Sequence, residues 1–420
     1  MIPSPGKDKH AIIIGAGIVG VATTLRLLQG GWRVTLIDRE GPGAGASQGN
    51  AGVLASSSVT PVTTPGLLGK IPGLLLRRNQ PLFVKWGYLP WLVPWLVRYL
   101  AHANLADTKR IARALAPIIG DSLQQHQDLA RGTKAAKRII PCDYFYAYKN
   151  RAHFEQDCIT WDIRHENGFT WEEREHDAFK DYDPLYEGLK GFVVRLPGHG
   201  RIISPGDYLK DLAAHATGQG ARLHIAPVQA IVHDNGIATG VRAGGETITA
   251  DAIALTAGVW SGPLAKQLGM TIPMKAERGY HLELWETNVM PRAPVMIASG
   301  KFVITPMEDR LRLAGIVEFG DVTNDPTDEA FSLLERQIRA TIPGLRWGRT
   351  TSWLGFRPAP VDSIPVIGSP SCFANVYMGF GHHHVGLTGG AKTGRILAAL
   401  IQGIPLKHDL SVYSPQRFIN

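Results

Sequence analysis

Cysteine is scarce: Cys142, Cys158 and Cys372 are the only thiols in 420 residues. An odd set without close spacing excludes a disulfide framework and the paired spacing of a zinc or redox motif. It fits a reducing compartment. No low-complexity tract or internal repeat interrupts the sequence, which excludes solenoid and collagen-like classes. The opening stretch "MIPSPGKDKH" has no apolar h-region, so no secretory signal is expected. No nucleic-acid recognition motif is present, and Lys and Arg are spread out rather than clustered; nucleic acid is not an expected partner.

What is abundant is glycine, with 47 residues, which suits a fold needing many close backbone approaches to a ligand. The chain is longer than a typical single domain, and two domains are expected. A net charge of +8 and a pI near 9.3 fit a mildly basic surface, with attraction to an anionic membrane or acidic substrates as sharper readings. The expected location is cytoplasmic, with a peripheral position on the inner face of the cytoplasmic membrane as the alternative.

The N-terminal stretch "HAIIIGAGIVGVATTLRLLQGGWRVTLID" reads as strand, glycine turn, helix and second strand. Gly15, Gly17 and Gly20 form G-x-G-x-x-G, with Ile18 and Val19 between them. Gly15 makes the tight turn, Gly17 lets backbone reach a pyrophosphate, and Gly20 lets the helix pack on the sheet. The pyrophosphate then sits at the positive end of the helix. Asp38 closes the second strand, where its carboxylate can accept from ribose hydroxyls, and Arg39 follows it. This unit implies a dinucleotide but leaves FAD and NAD open. The loop "GPGAGASQGNAGVL" (41–54) is too irregular for a further Rossmann strand and suits a path along a bound flavin nucleotide. Its candidate contacts are Ala46, Ser47, Asn50, Ala51 and Gly52.

Farther on, "ARLHIAPVQAIVHDNGIATGVRAGGETITADAIALTAGVWS" holds three short alternating strands with turns at "DNG" and "AGG". The run 252–256 then meets Ala257 and Gly258, as expected of a buried parallel strand ending beside a cofactor, with Trp260 in the same loop. In the last block, "NVYMGF" reads as a strand, "GHHHVGLTGG" as a glycine loop and "AKTGRILAALIQG" as a helix. Leu387 and Thr388 stand at its N-terminus, whose dipole favours negative charge on a flavin ring. Gly381, His382, Val385 and Gly386 join them as candidate cofactor contacts. Three adjacent histidines cannot easily converge on one ion, and no Cys or carboxylate lies at ligand spacing, so no metal is expected. His384 is the candidate to face substrate and serve as the base.

The segments "GAGIVGV", "GASQGNAG", "SSVTPVTTPG", "ERGYHLEL", "SGKFVITPMEDRLRLAG", "GFRPAPVDSIPVIG" and "GFGHHHVGLTGG", in this order, resemble the D-amino acid oxidase superfamily. The similarity is to its bacterial D-amino acid dehydrogenase branch, including glyphosate oxidoreductase-like members, and covers nearly the whole chain. It implies noncovalent FAD and two-electron oxidation of a C–N bond. It also implies a backbone contact from Val228 to adenine, and loops at "LTAGVWS" and "HHHVGLTGG" flanking the cofactor. Relatives that attach FAD through cysteine give no reason to expect a link here, since Cys372 precedes the last strand.

Arg357, in "GFRPAPVDSIPVIG", lies between apolar stretches, and a buried guanidinium needs a partner. Its fork matches a carboxylate, and the resemblance gives it the substrate carboxylate; a structural ion pair is the alternative. Tyr280, on an alternating strand, is the candidate second carboxylate donor or else strand packing. Lys301 is a weaker substrate candidate, equally readable as a solvated strand residue. The expected fold is α/β: a Rossmann-type FAD domain (1–80, 190–270 and 358–420) with a substrate domain of antiparallel sheet and helices (81–189 and 271–357).

The expected reaction is oxidation of a small amino acid, D by resemblance, to an imine and then a 2-oxo acid plus ammonia, with a non-oxygen acceptor. Two alternatives stand beside it: an oxygen-using oxidase of glycine-like or N-substituted amino acids such as sarcosine or glyphosate, and a membrane-surface binding protein with structural FAD. "PLFVKWGYLPWLVPWLVRYL" (81–100) is rich in aromatics and poor in charge. Pro90 and Pro94 argue against a spanning helix. The segment reads as a buried cap on the substrate domain, or as a peripheral membrane contact near a quinone or other respiratory-chain acceptor, with Arg77 and Arg78 nearby.

Overall fold

The computed structural model describes residues 8–67, 69, 81–175, 182–183, 185, 191–407 and 409–419. Arg77 and Arg78 therefore lie outside the described residues. The chain opens with β1 (His10–Ile14), α1 (Ile18–Gln29) and β2 (Arg33–Asp38). Ala11 through Ile14 are buried on both faces, which explains why β1 is apolar without alternation: it is a central strand of a covered parallel sheet. Gly15 turns out of it at φ +104°, and a Cβ on Gly20 would come within 1.8 Å of the Gly15 carbonyl oxygen. The turn tolerates no side chain at that crossing.

Four more strands complete this sheet: β8 (Arg222–Ile225), β12 (Ala252–Leu255), β18 (Val366–Gly368) and β19 (Val376–Phe380). The order is β18, β19, β12, β1, β2, β8, parallel throughout except between β18 and β19. β9 (Val228–Asp234), β10 (Ile237–Ala243) and β11 (Glu246–Thr249) form a separate antiparallel sheet. Its turns fall at Asn235-Gly236 and Gly244-Gly245, where the backbone is left-handed.

A third sheet has ten strands. Its order is β17 (Arg349–Pro360), β13 (Met274–Trp285), β16 (Arg310–Phe319), β15 (Phe302–Pro306), β14 (Val295–Ile297), β5 (Ile139–Tyr148), β7 (Phe192–Ile202) and β3 (Val53–Leu54). Two short strands, β4 (Leu82–Val84) and β6 (Glu172–Glu175), attach to β16 and β7. β13 pairs antiparallel with both β16 and β17, and its register sets Glu277 opposite Arg357.

α2 (Leu89–Ala101) accommodates Pro90 in its first turn and Pro94 inside. It buries Leu92, Trp95 and Tyr99 while Trp91 and Val97 stay exposed, an amphipathic pattern. Among the described residues, no helix is long and apolar enough to cross a membrane. α3 (Asp328–Thr341) packs Leu333, Leu334 and Ile338 behind the ten-stranded sheet.

The last helix corrects the sequence reading. α4 spans Gly386–Gln402, so Gly386, Gly389 and Gly390 are helical and not part of a glycine loop. Two of them serve close packing: a Cβ on Gly389 would meet Ile118 at 2.8 Å and one on Gly390 would meet Ile18 at 2.4 Å, as one on Gly394 farther along would meet Ala22 at 2.4 Å. The crossing with α1 outweighs the poor helix propensity of glycine. α4 ends at Gly403 in the left-handed conformation, φ +69°.

Candidate active site

A cavity of about 900 Å³ runs from the β1–α1 turn to the ten-stranded sheet. At one end it is walled by Gly15, Gly17, Ile18 and Val19, with Asp38 and Arg39 from the end of β2. The Asp38 carboxylate is fixed by backbone N–H groups of Ala16 (2.8 Å), Glu40 (2.9 Å) and Gly41 (2.9 Å). Trp260 lies under the Arg39 guanidinium, 4.0 Å from it, with Val228 on the same wall. Gly17 is the N-cap of α1 without any side-chain cap, which leaves N–H donors for a ligand. Ser47 Oγ accepts from Ile18 N at 3.3 Å and brings the following loop over this end.

That loop is held from the opposite sheet. Buried Arg312 donates to the carbonyls of Gln48 and Asn50, and Glu283 pairs with its guanidinium at 2.6 Å. His281 stacks on Trp353 and approaches the Gly49 carbonyl through Nδ1 at 3.0 Å. Burial and the neighbouring Arg312 push the His281 pKa down to about 3. Ala46, Ser47, Asn50 and Ala51 reach the cavity. Gly20 and Gly52 do not line it. They are packing positions: Gly20 at the helix crossing, and Gly52 (φ +78°) where a Cβ would crowd the Ile202 carbonyl at 2.7 Å.

The middle of the cavity is bordered by Ala257 and Gly258 on one side and by Gly381, His382, Val385, Gly386, Leu387 and Thr388 on the other. The Leu387 and Thr388 carbonyls accept from His126 Nε2 (2.8 Å) and Ser122 Oγ (2.7 Å). Tyr208 closes this set against His126 Nδ1 at 2.9 Å. These contacts brace the first turn of α4. Burial holds His126 neutral, at about 4. The cradle fits a long dinucleotide: glycines where a Cβ would collide, a helix start, a pinned carboxylate and a second helix N-terminus.

At the far end, Arg357 is half-buried, and its Nη1 donates to Glu277 Oε1 at 2.6 Å. Its Nε and Nη2 make no hydrogen bond among the described residues, so two donors of the fork remain for an anion. Glu277 Oε2 lies 2.6 Å from His383 Nε2. Burial alone would raise the Glu277 carboxyl, but His383 and Arg357 together hold it far below the usual carboxylate range. His383 carries a left-handed backbone at φ +49°, and its Nδ1 lies 3.3 Å from His384 Nδ1.

The three histidines thus separate. His382 turns inward to Thr393 Oγ1 at 2.8 Å, and burial holds it at about 4. His384 lines the cavity, held down at about 3 by burial and by His383. That value lies well below the near-neutral range that suits a base on its own. A second finding concerns Tyr280. Its hydroxyl donates to Glu318 Oε2 at 2.6 Å and accepts from Thr327 N at 3.0 Å, in the core beneath α3. Tyr280 is among the residues bordering the cavity, but its single hydroxyl proton goes to Glu318, which favours the strand-packing alternative over a second carboxylate donor. Lys301 lines the cavity from the turn before β15, with left-handed φ +52°, and is not a strand residue. Sequence reasoning missed Glu277, His383 and His126. The signal for Glu277 was one of two acids in "ERGYHLEL", the other being Glu283.

Residues 10–400 match the family described as DAO, FAD dependent oxidoreductase. The chain is 34% identical to a D-amino-acid oxidase of Bradyrhizobium diazoefficiens, covering 98% of this chain and 100% of that one. It is 30% identical to a D-amino acid dehydrogenase of Methylobacterium nodulans, covering 94% and 95%. The fold is similar to glycine oxidase from Geobacillus kaustophilus, with a TM-score of 0.74, 19% identity and coverage of 98% and 100%.

Proposed function

Since the chain belongs to the DAO family of FAD dependent oxidoreductases, we propose that it oxidises the C–N bond of a small α-amino acid, a D-amino acid first. The product is an imine, which water hydrolyses to a 2-oxo acid and ammonia. Bound FAD supplies the two-electron acceptor for the hydride that leaves Cα. The chain supplies position and charge. Gly15, Gly17 and Asp38 would hold the nucleotide, and the N-terminus of α4 would face the flavin. Arg357 would fix the substrate carboxylate through Nε and Nη2 while Glu277 keeps its third amine in place.

The observation that carries this reading is the Arg357 fork, presented to the cavity by a buried carboxylate opposite it in register. An anaerobic screen of D- and L-amino acids, N-methyl amino acids and glyphosate, read as flavin bleaching, tests it. Bleaching by D-amino acids is the expected outcome. Bleaching by none assigns the rival role, a membrane-surface protein with structural FAD. The same preparation tests noncovalent FAD. Flavin is expected in the supernatant after acid precipitation, because no cysteine among the described residues lines the cavity.

Two finer points belong to the same proposal. The relatives divide between oxidase and dehydrogenase, so the oxygen-using alternative on glycine-like or N-substituted amino acids stands beside a quinone or respiratory acceptor. Exposure of Trp86, Trp91 and Val97 supports acceptor docking at a membrane surface. The division into an FAD-binding body (1–80, 190–270, 358–420) and a substrate body (81–189, 271–357) is also proposed. One strand crosses that division: β7, inside 190–270, pairs with β5 of the substrate body in the ten-stranded sheet.

A further inference from the structure

We propose that Glu277, His383 and His384 form a proton relay that accepts the ammonium proton of the substrate; this rests on the amino acid oxidation proposed above. Amino acids carry an ammonium group at neutral pH, and hydride leaves Cα readily only when that nitrogen has a free lone pair. A proton must therefore go somewhere. His384 is the imidazole at the cavity wall, yet burial makes it a poor resting place for a proton.

In the resting site of this relay His383 is neutral, and the hydrogen bonds then set the tautomers. Glu277 is ionised and only accepts, so His383 Nε2 carries the hydrogen across the 2.6 Å contact. His383 Nδ1 then holds a lone pair and accepts from His384 Nδ1–H, 3.3 Å away. His384 Nε2 is left as an acceptor, with no partner among the described residues. When Nε2 takes the ammonium proton, the Nδ1 proton passes to His383 Nδ1. Two N–H bonds break, at the substrate nitrogen and at His384 Nδ1, and two form, at His384 Nε2 and at His383 Nδ1; no electron changes hands. The net result is a neutral amine, His384 as the other neutral tautomer, and a His383 imidazolium against the Glu277 carboxylate. The charge comes to rest where a buried anion compensates it.

The surroundings favour that resting place. Facing His383 are Glu277 from β13, Arg357 from β17, the flanking His382 and His384, and Tyr99 from α2. Arg357 opposes the imidazolium, but Glu277 lies between them and a bound substrate carboxylate offsets its charge. Tyr99 meets the ring edge-on at 6.3 Å, and burial pushes its hydroxyl far up, so it stays neutral. The left-handed backbone of His383 is a strain kept at a functional position.

Two variants and one spectrum test the relay. In the FAD-loaded protein labelled with ¹⁵N-histidine, His384 is expected to carry its proton on Nδ1. A far-downfield proton on His383 Nε2 is expected to vanish in Glu277→Gln. Glu277→Gln and His383→Asn should slow anaerobic flavin bleaching on the order of 100-fold at pH 7, within the range of general-base catalysis. Asparagine tolerates the left-handed backbone, so the second variant keeps the loop. The deficit should shrink to about 5-fold or less at pH 10, where the substrate arrives as the free amine. A loss that is the same at every pH, with FAD retained, means a structural role and overturns the relay. So does an unchanged rate at pH 7. If no amino acid bleaches the wild type, the functional reading fails, and the spectrum still judges the relay: His384 protonated on Nε2 instead of Nδ1 overturns it.

Discussion

The guanidinium of Arg357 lies over Gly279, so close that a Cβ on Gly279 would stand 2.6 Å from Cζ and Nη2. Residue 279 opposes Gly355 across β13 and β17, and residue 277 opposes 357. A missing side chain at 279 gives the arginine its space, and the carboxylate at 277 gives it its direction. Gly279→Ala is therefore expected to push the fork aside at an overpacking cost of about 1–3 kcal/mol. KM for the amino acid should rise while FAD content stays at the wild-type level. Steady-state kinetics alongside the flavin-to-protein absorbance ratio checks this, and an unchanged KM removes the stacking from substrate binding.

Arg357→Lys keeps the charge and discards the fork. A lysine can pair with Glu277 but cannot also offer two parallel donors to a carboxylate. KM is expected to rise by the equivalent of about 2–4 kcal/mol, the range for a desolvated charge pair. An amine lacking the carboxylate should show little difference between variant and wild type. Equal losses on both substrates would place Arg357 in the scaffold instead.

Tyr280 gives the opposite expectation. Its hydroxyl joins a buried group in which Arg278 pairs with Glu318 at 2.7 Å and donates to the carbonyls of Asp321, Asn324 and Asp325. Tyr280→Phe removes one bond to a charged acceptor and leaves Thr327 N without its partner. Stability should fall by about 1–3 kcal/mol. A denaturant melt should register that loss while KM remains within about twofold of wild type; a large KM change with unchanged stability would return Tyr280 to the substrate site.

The Rossmann unit was legible because its signals are local: an apolar run, a glycine spacing, a helical period and a terminal acid within one short stretch. Arg357 was legible as a charge among apolar neighbours. Its companion was not, because Glu277 becomes meaningful only through the register of β13 against β17, which no local pattern contains. Tyr280 was misread for a related reason. Alternation says that Glu277 and Gly279 share a face and Tyr280 takes the other, but not which face meets the cavity. Glycines 386, 389 and 390 read as a loop because propensity disfavours them in helices; the close approach of Ile118 to Gly389 and of Ile18 in α1 to Gly390 explains two of them, and none of it is visible locally. The histidine triplet pointed to His384 for substrate and His382 for cofactor; the role of His383 against Glu277 depends on its left-handed backbone, which no local pattern contains.

α2 separates two tryptophans that the sequence left equivalent. Trp95 is 5% exposed, stacks on Tyr99 at 4.5 Å and donates from Nε1 to the Ala359 carbonyl at 3.2 Å. Tyr99 in turn meets His383, so this face supports the site. Trp91 is 71% exposed on the outward face, with Trp86 at 63% and Val97 at 64% nearby. If that face docks on lipid, its rings enter the interface while Lys85 and Arg98 meet anionic headgroups. Vesicle binding should then weaken with salt, since exposed charges are screened beyond a Debye length of ~8–10 Å. Trp91→Ser is expected to lower turnover with a membrane quinone and leave turnover with a soluble dye intact. Trp95→Ser is expected to lower both, together with the melting temperature, because it opens a cavity behind His383. Both activities measured on both variants, with co-sedimentation on anionic vesicles, separate the roles. Wild-type quinone turnover in Trp91→Ser, with no vesicle binding by the wild type, would leave α2 as support for the site and nothing more.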